Sequence, residues 1–284
     1  MNLRQALAHA RAALKDRNIE EAALEGEFLL RQALGISRAH LFSNLEQKMS
    51  PEHEEALKLL LARRLKGEPT AYIIGHHEFY GLDFIIDRHV LIPRPETELL
   101  VEKAIELVRK RQLSVVADIG TGSGAIAISL AVNLPGITIY ATDISPRALD
   151  VAGKNVKKHG VGDKVILLQG NLLEPLTVNA DLIIANLPYV RGIEIPKEGP
   201  LSHEPALALN GGEDGLEIIS RFCRQAGARL NSKGCLLLEI GQGQAERVSA
   251  LLKKEFPGAV VEIYRDLAGI ERAVSLCLTQ ARIF

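Results

Sequence analysis

The sequence predicts an α/β fold: a parallel sheet with helices on both faces, preceded by a helical module and a β-hairpin. Three features predict it. From about residue 93, short apolar runs alternate with amphipathic helical segments, a glycine-rich turn follows the first apolar run, and residues 1–75 show helical spacing alone. A length of 284 residues suits two domains. With 47% hydrophobic and 24% charged residues, the chain is neither disordered, nor collagen-like, nor a small disulfide scaffold. The 34 Lys and Arg nearly balance the 35 Asp and Glu, which argues against a protein that binds mainly through nucleic-acid phosphates.

The first helix is marked by Leu3, Leu7, Ala10 and Leu14. A second carries Ala23, Phe28, Leu30, Ala33 and Leu34 and stops at Gly35. A third starts at Ser50-Pro51, with Ser50 as N-cap and Glu52 and Glu54 at its positive end, and buries Leu57, Leu60, Leu61 and Leu65 before Gly67 and Pro69. With 11 basic and 10 acidic residues, this segment has no basic face. Alternating aromatic and β-branched residues around Tyr80-Gly81 predict a hairpin within 76–92. Strands are expected at 115–120, 137–143, 164–170, 180–189, 235–241, 260–266 and 271–278, and helices at 124–134, 146–159, 215–230 and 244–255. The short loop between the last two strands requires them to be antiparallel.

Cys223, Cys235 and Cys277 are odd in number, match no metal-ligand spacing and lie in apolar surroundings. They read as reduced, buried small hydrophobes. No metal site is expected, since His76, His77, His89 and His203 lack ligand spacing. Neither a signal peptide nor a membrane span is visible, so a cytoplasmic location is expected.

The sharpest ligand signal is Asp118-Ile119-Gly120-Thr121-Gly122-Ser123-Gly124, between a strand and a helix. Glycines there allow a tight turn and close approach of a ligand. Asp143 ends the next strand, where a carboxylate can accept both ribose hydroxyl hydrogens. Gly120-x-Gly122-x-x-Ala125 is close to a dinucleotide fingerprint. Gly120-x-Gly122-x-Gly124 preceded by Asp118 looks more like the S-adenosylmethionine loop of class I methyltransferases, with Asp118 placed for the ammonium of the amino-acid tail.

The fourth strand runs into Asn186-Leu187-Pro188-Tyr189. A planar amide or exocyclic amine is a poor nucleophile because its lone pair is delocalised. The Asn186 side-chain oxygen can accept one of its N–H hydrogens and a backbone carbonyl of the proline-stiffened loop the other. These bonds aim the nitrogen and favour its loss of planarity, while Tyr189 can stack on the flat group.

Together these segments resemble the HemK/PrmC-type protein-(glutamine-N5) methyltransferases, which modify the Gly-Gly-Gln glutamine of class 1 peptide release factors. The resemblance spans nearly the whole chain. It rests on Ile92-Pro93-Arg94-Pro95-Glu96-Thr97-Glu98, on Asp118 to Ala127, on the Asn186–Tyr189 motif, on Glu204-Pro205, on Gly211-Gly212-Glu213-Asp214-Gly215-Leu216, on Leu236 to Gly241 and on Asp266 to Arg272. It implies an α/β, class I (Rossmann-like) S-adenosylmethionine-dependent methyltransferase domain at 93–284, a β-hairpin linker at 76–92 and a helical substrate-recognition domain at 1–75. It implies that Asp118, Gly120, Thr121, Gly122, Ser123, Gly124 and Asp143 bind S-adenosylmethionine, with Asn171 and Leu172 near the adenine and Asn186 between cofactor and substrate. Asn186, Leu187, Pro188 and Tyr189 become the substrate clamp, with Asn186, Pro188 and Tyr189 catalytic. S-adenosylhomocysteine is then the product and class 1 release factors the partners, with no nucleic acid or membrane partner. The family has proline where this chain has Leu187, which keeps a carbonyl acceptor but adds an N–H and a freer φ. Arg94, Glu96 and Glu98 either contact ligands or cap a helix, and no strong general base is visible near the clamp. One rival reading is an N6-adenine or N2-guanine nucleic-acid methyltransferase, which uses a similar clamp but predicts a basic groove; a second, supported by Leu187 alone, is a protein-binding module with an inactive methyltransferase fold.

Overall fold

The computed structural model describes residues 1–278, so the last six residues of the segment 93–284 lie outside the description. The described chain forms two compact units, Met1–His76 with Pro196–His203, and His77–Ile195 with Glu204 onward. Residues 196–203, read from the sequence as part of the second domain, therefore pack with the first unit.

The first unit is helical: α1 (Leu3–Lys15), α2 (Ala22–Leu34), α3 (Arg38–Ser43), α4 (Pro51–Leu65) and α5 (Thr70–Ile74). Asn2 and Gln5 form a reciprocal capping box on α1, and Ser50 caps α4 with Pro51 in its first turn. The buried face of α1 contains Leu3, Leu7, Ala10 and Leu14 as the spacing predicts. On α2 the buried face is Ala22, Gly26, Leu29 and Leu30, and Ala23 is exposed. The reason is Gly26, where a Cβ would lie 3.2 Å from the Arg11 nitrogen; the close helix approach there sets the rotation of α2. Both buried charged residues of this unit are paired, Glu27 with Arg31 and Arg38, and Arg64 with Glu25.

The second unit opens with the hairpin of β1 (His76–Phe79) and β2 (Leu82–Ile85), turning at Tyr80 and Gly81, both at positive φ. It continues as α6 (Glu98–Arg111), β3 (Val115–Ile119), α7 (Ala125–Asn133), β4 (Thr138–Asp143), α8 (Pro146–His159), β5 (Val165–Gln169), β6 (Ala180–Ala185), α9 (Ala206–Leu209), α10 (Glu217–Ala226), β7 (Leu230–Glu239), α11 (Ala245–Glu255), β8 (Val260–Arg265) and β9 (Glu271–Cys277). The seven strands lie in the order β5-β4-β3-β6-β7-β9-β8. All observed pairings are parallel except those of β9, which is antiparallel to β7 and β8 as the short loop requires. The hairpin is tied down by one buried side chain: Asn155 on α8 accepts from the Ile85 N–H at 2.7 Å and donates to the carbonyls of Ile85 and Ser123, each at 2.9 Å. One residue thus joins the hairpin to the glycine loop.

Two cysteines depart from the expectation of reduced thiols. Cys235 on β7 and Cys277 on β9 stand opposite each other with Cα atoms 4.1 Å apart and form a disulfide. Antiparallel pairing brings side chains closest at such non-hydrogen-bonded positions, and a separation of 42 residues hides this in the sequence. Cys223 is free and buried, and burial pushes its thiol up to about 12, which makes it inert. Among the described residues no helix is long and apolar enough to cross a membrane, and no cluster of His, Cys, Asp and Glu could hold a metal.

Candidate active site

Strand register assembles the site. Ile119, the last residue of β3, is level with Thr142 on β4 and Ala185 on β6. The next residue on each strand is Gly120, Asp143 and Asn186, so three motifs separated in sequence meet at the carboxyl edge of the sheet. This edge is the switch point, because β4 and β5 continue on one side of β3 and β6 and β7 on the other. A cavity of about 260 Å³ opens there. Gly120, Thr121, Gly122, Ser123, Asp143, Asn171, Leu172, Asn186, Leu187 and Pro188 line it, as do Thr97 and Ile144.

The glycine loop is braced by its own hydrogen bonds. The Thr142 carbonyl accepts the N–H groups of both Gly120 and Thr121 at 2.9 Å. Gly120, Gly122 and Gly124 have φ of +75°, +57° and +81°, which side-chain-bearing residues rarely adopt. Asp143 accepts the Gly122 N–H on Oδ2 and the Ser145 N–H on Oδ1, both at 2.9 Å, so both carboxylate oxygens are fixed by backbone. Burial raises its pKa, and these backbone bonds oppose the rise. These features fit S-adenosylmethionine: a fixed carboxylate for ribose hydroxyls, two wall glycines without Cβ atoms, and the apolar Ile144 and Leu172 in the lining for a flat base. Of the residues expected to bind the cofactor, Gly124 and Asp118 do not line the cavity. Asp118 is buried, accepts from the Thr121 hydroxyl at 2.6 Å and from the Ala127 N–H at 3.3 Å, and is pushed up to about 6 by burial. Its Oδ1 has no partner among the described residues. The structure thus shows Asp118 bracing the turn into α7.

The clamp is anchored from behind. Asn186 donates from Nδ2 to the Thr97 hydroxyl oxygen at 3.1 Å, and the Thr97 hydroxyl donates to Glu239 Oε2 at 2.6 Å. The Tyr189 hydroxyl donates to Glu239 Oε1 at 3.3 Å, and the Tyr189 carbonyl accepts from Gln244 Nε2 at 3.0 Å. Tyr189 does not line the cavity; its ring lies beside Gly241. Leu187, 4% exposed, packs in the core of the sheet against Gly120, so the residue in place of the family's proline fills space under the glycine loop. Gly211 explains a glycine motif that stays out of this cavity: a Cβ there would lie 2.8 Å from the Pro188 oxygen and the Tyr189 Cα. It lets the chain after α9 press onto the clamp.

The charged residues of the 92–98 motif are taken up by the protein. Arg94 pairs with the buried Glu204, whose other oxygen accepts from the Ile92 N–H at 3.2 Å. Glu98 starts α6 and accepts from the Tyr80 N–H at 2.8 Å, and Glu96 lies 3.9 Å from Arg272. Glu239 and Thr97 lie within the sequence motifs, but the sequence alone assigns them no role in the site. A carboxylate inside the apolar run Leu236–Ile240 was the available signal, because an acid is rarely fully buried without a partner.

Burial pushes Glu239 up to about 7 from an ordinary 4.5, and the bonds from Thr97 and Tyr189 oppose it. The folded protein therefore keeps this proton over a range where the unfolded chain has released it. Stability should fall as pH rises from about 4.5 to about 7. Asp118 and Asp143, also raised, act in the same direction. Urea denaturation across this range should show a shallower pH dependence for Glu239→Gln than for wild type; identical slopes would remove Glu239 as the source.

The sheet order, the glycine loop and the carboxyl-edge cavity define a class I methyltransferase. The hMettl16 catalytic domain shares this fold at 19% identity, with a TM-score of 0.56 over 78% of this chain and 82% of that one. Two family models match: the PrmC N-terminal domain over residues 5–75 and the methyltransferase small domain over residues 95–198. A release factor glutamine methyltransferase of Moorella thermoacetica is 40% identical over 96% of this chain and 97% of its own length. One from Geobacter sulfurreducens is 40% identical over 89% of this chain and 88% of its own. The chain belongs to the release factor glutamine methyltransferase family.

Proposed function

We infer that the chain transfers a methyl group from S-adenosylmethionine to the side-chain amide nitrogen of the Gly-Gly-Gln glutamine of class 1 peptide release factors. Family membership carries the activity, and the Asn186 geometry supports the acceptor. An amide nitrogen needs an acceptor for its hydrogens, and Asn186 offers Oδ1 at the cavity because its Nδ2 is occupied by Thr97. Asp143 and the backbone of Gly120–Ser123 hold the cofactor, with Asn171 and Leu172 at the base. When bound, the cofactor supplies a methyl group made electrophilic by the sulfonium, and S-adenosylhomocysteine is left.

Asn186 Oδ1 and the Leu187 carbonyl accept the two amide hydrogens and turn the nitrogen lone pair toward the methyl group. One amide proton then passes to solvent. The helical unit of 1–75 serves to hold the release factor. Incubating the protein with radiolabelled S-adenosylmethionine and, separately, a release factor, its Gly-Gly-Gln→Gly-Gly-Ala variant and duplex or structured nucleic acid tests this. Label is expected in the first acceptor alone. Label in nucleic acid but not in the release factor would support the base-methylating alternative.

A further inference from the structure

Asn186 can serve as an acceptor only if its amide is turned the right way, and an asparagine side chain is nearly symmetric in shape. Proton bookkeeping along the chain behind it decides the orientation. Glu239 is 2% exposed and, as a carboxylate, offers acceptors only. The Thr97 hydroxyl, itself 4% exposed, has one hydrogen and gives it to Glu239 at 2.6 Å. Thr97 therefore has only a lone pair left for Asn186. An Asn186 oxygen on that side would face another oxygen with no hydrogen between them, so the NH2 group must occupy it, 3.1 Å away. Oδ1 is then directed to the cavity.

We propose that Thr97 and Glu239 are positioning residues of the transfer: the buried carboxylate fixes the direction of the Thr97 hydroxyl, which fixes the Asn186 amide with its oxygen toward the incoming glutamine. This rests on the amide-transfer reading above. The same carboxylate holds the other end of the motif through the Tyr189 hydroxyl, so one side chain at the end of β7 sets both ends of the clamp. The groups facing Glu239 are Thr97 and Glu96 from the segment entering α6, Tyr189 from the clamp and Arg272 from β9. A protonated Glu239 has a hydrogen of its own to donate. It can give that hydrogen to Thr97, whose hydroxyl is then free to turn toward Asn186 and select the opposite amide orientation. Turnover should therefore rise as Glu239 ionises.

The test is single-turnover methylation of a release factor at saturating cofactor, using Thr97→Val, Thr97→Ser, Asn186→Ala, Thr97→Val/Asn186→Ala and Glu239→Gln. Valine matches threonine in size, and circular dichroism checks that each variant folds. Thr97→Val should lower the rate by on the order of 10–100-fold, as loss of an outer orienting partner does elsewhere, with little change in the release-factor concentration giving half-maximal rate. Thr97→Ser should restore most of the rate. In the Asn186→Ala background, Thr97→Val should cost no further rate beyond about twofold, because a residue acting through Asn186 has nothing left to orient. Glu239→Gln should lose the rise of rate with pH that wild type shows. Full additivity of the two substitutions, failure of serine to rescue, or an unchanged pH profile in Glu239→Gln would overturn the positioning role while leaving the Asn186 clamp intact. Absence of transfer by the wild-type enzyme would overturn the underlying reading, and the proposal with it.

Discussion

Asn186→Ala should lower the turnover rate by roughly 10²–10³-fold while leaving the half-saturating release-factor concentration within a few-fold of wild type. The asymmetry follows from where the side chain acts. In the bound ground state the glutamine amide is planar and weakly demanding of its acceptor. As the nitrogen attacks, its N–H groups become more acidic, and the bond to Asn186 Oδ1 strengthens; interactions that grow toward the transition state appear in the rate. The site is prepared for this, since Asn186 follows directly from buried β6 and is fixed by Thr97. Wild-type turnover in Asn186→Ala would remove the clamp from the mechanism.

The parts of this site legible in the sequence were those whose chemistry is local. The glycine loop, Asp143 and the Asn186–Tyr189 motif each announce a strand end, and the strand–helix alternation was enough to bring them to one edge. What the sequence did not disclose were pairings across the sheet. Glu239 lies 142 residues from Thr97 and 50 from Tyr189; the adjacency of β6 and β7 brings Tyr189 to it, and the packing of α6 on those strands brings Thr97. The Cys235–Cys277 bridge was hidden for the same reason, since it depends on the register of β7 against β9. Asp118 and Tyr189 show a second kind of gap, because the partners that packing gives a side chain are not written beside it: Asp118 accepts from the Thr121 hydroxyl and the Tyr189 hydroxyl donates to Glu239. Leu187, read as a loosened loop residue, fills the core beneath Gly120.

Asp143→Ala should weaken S-adenosylmethionine binding by on the order of 100-fold, more than the loss of one neutral hydrogen bond would give. Two losses combine. The carboxylate that accepts ribose hydroxyl hydrogens disappears, and the N–H groups of Gly122 and Ser145 lose their shared acceptor. Gly122, at φ +57°, is held by this bond, so part of the cost is reordering of the loop. Asp143→Asn separates the two contributions. An asparagine keeps one acceptor oxygen but turns an NH2 group toward either a backbone N–H or a ribose hydroxyl, so an intermediate loss of on the order of 10-fold is expected. The pH dependence has a definite sign. Burial raises the pKa of Asp143, and the ionised form is the better acceptor, so wild-type affinity should decline as pH falls through its titration and Asp143→Asn should not follow. Calorimetric titration of the cofactor into all three proteins checks this. Equal affinities for wild type and Asp143→Ala would mean that the ribose is held elsewhere, and equal pH profiles for wild type and Asp143→Asn would mean that the carboxylate charge plays no part in holding it.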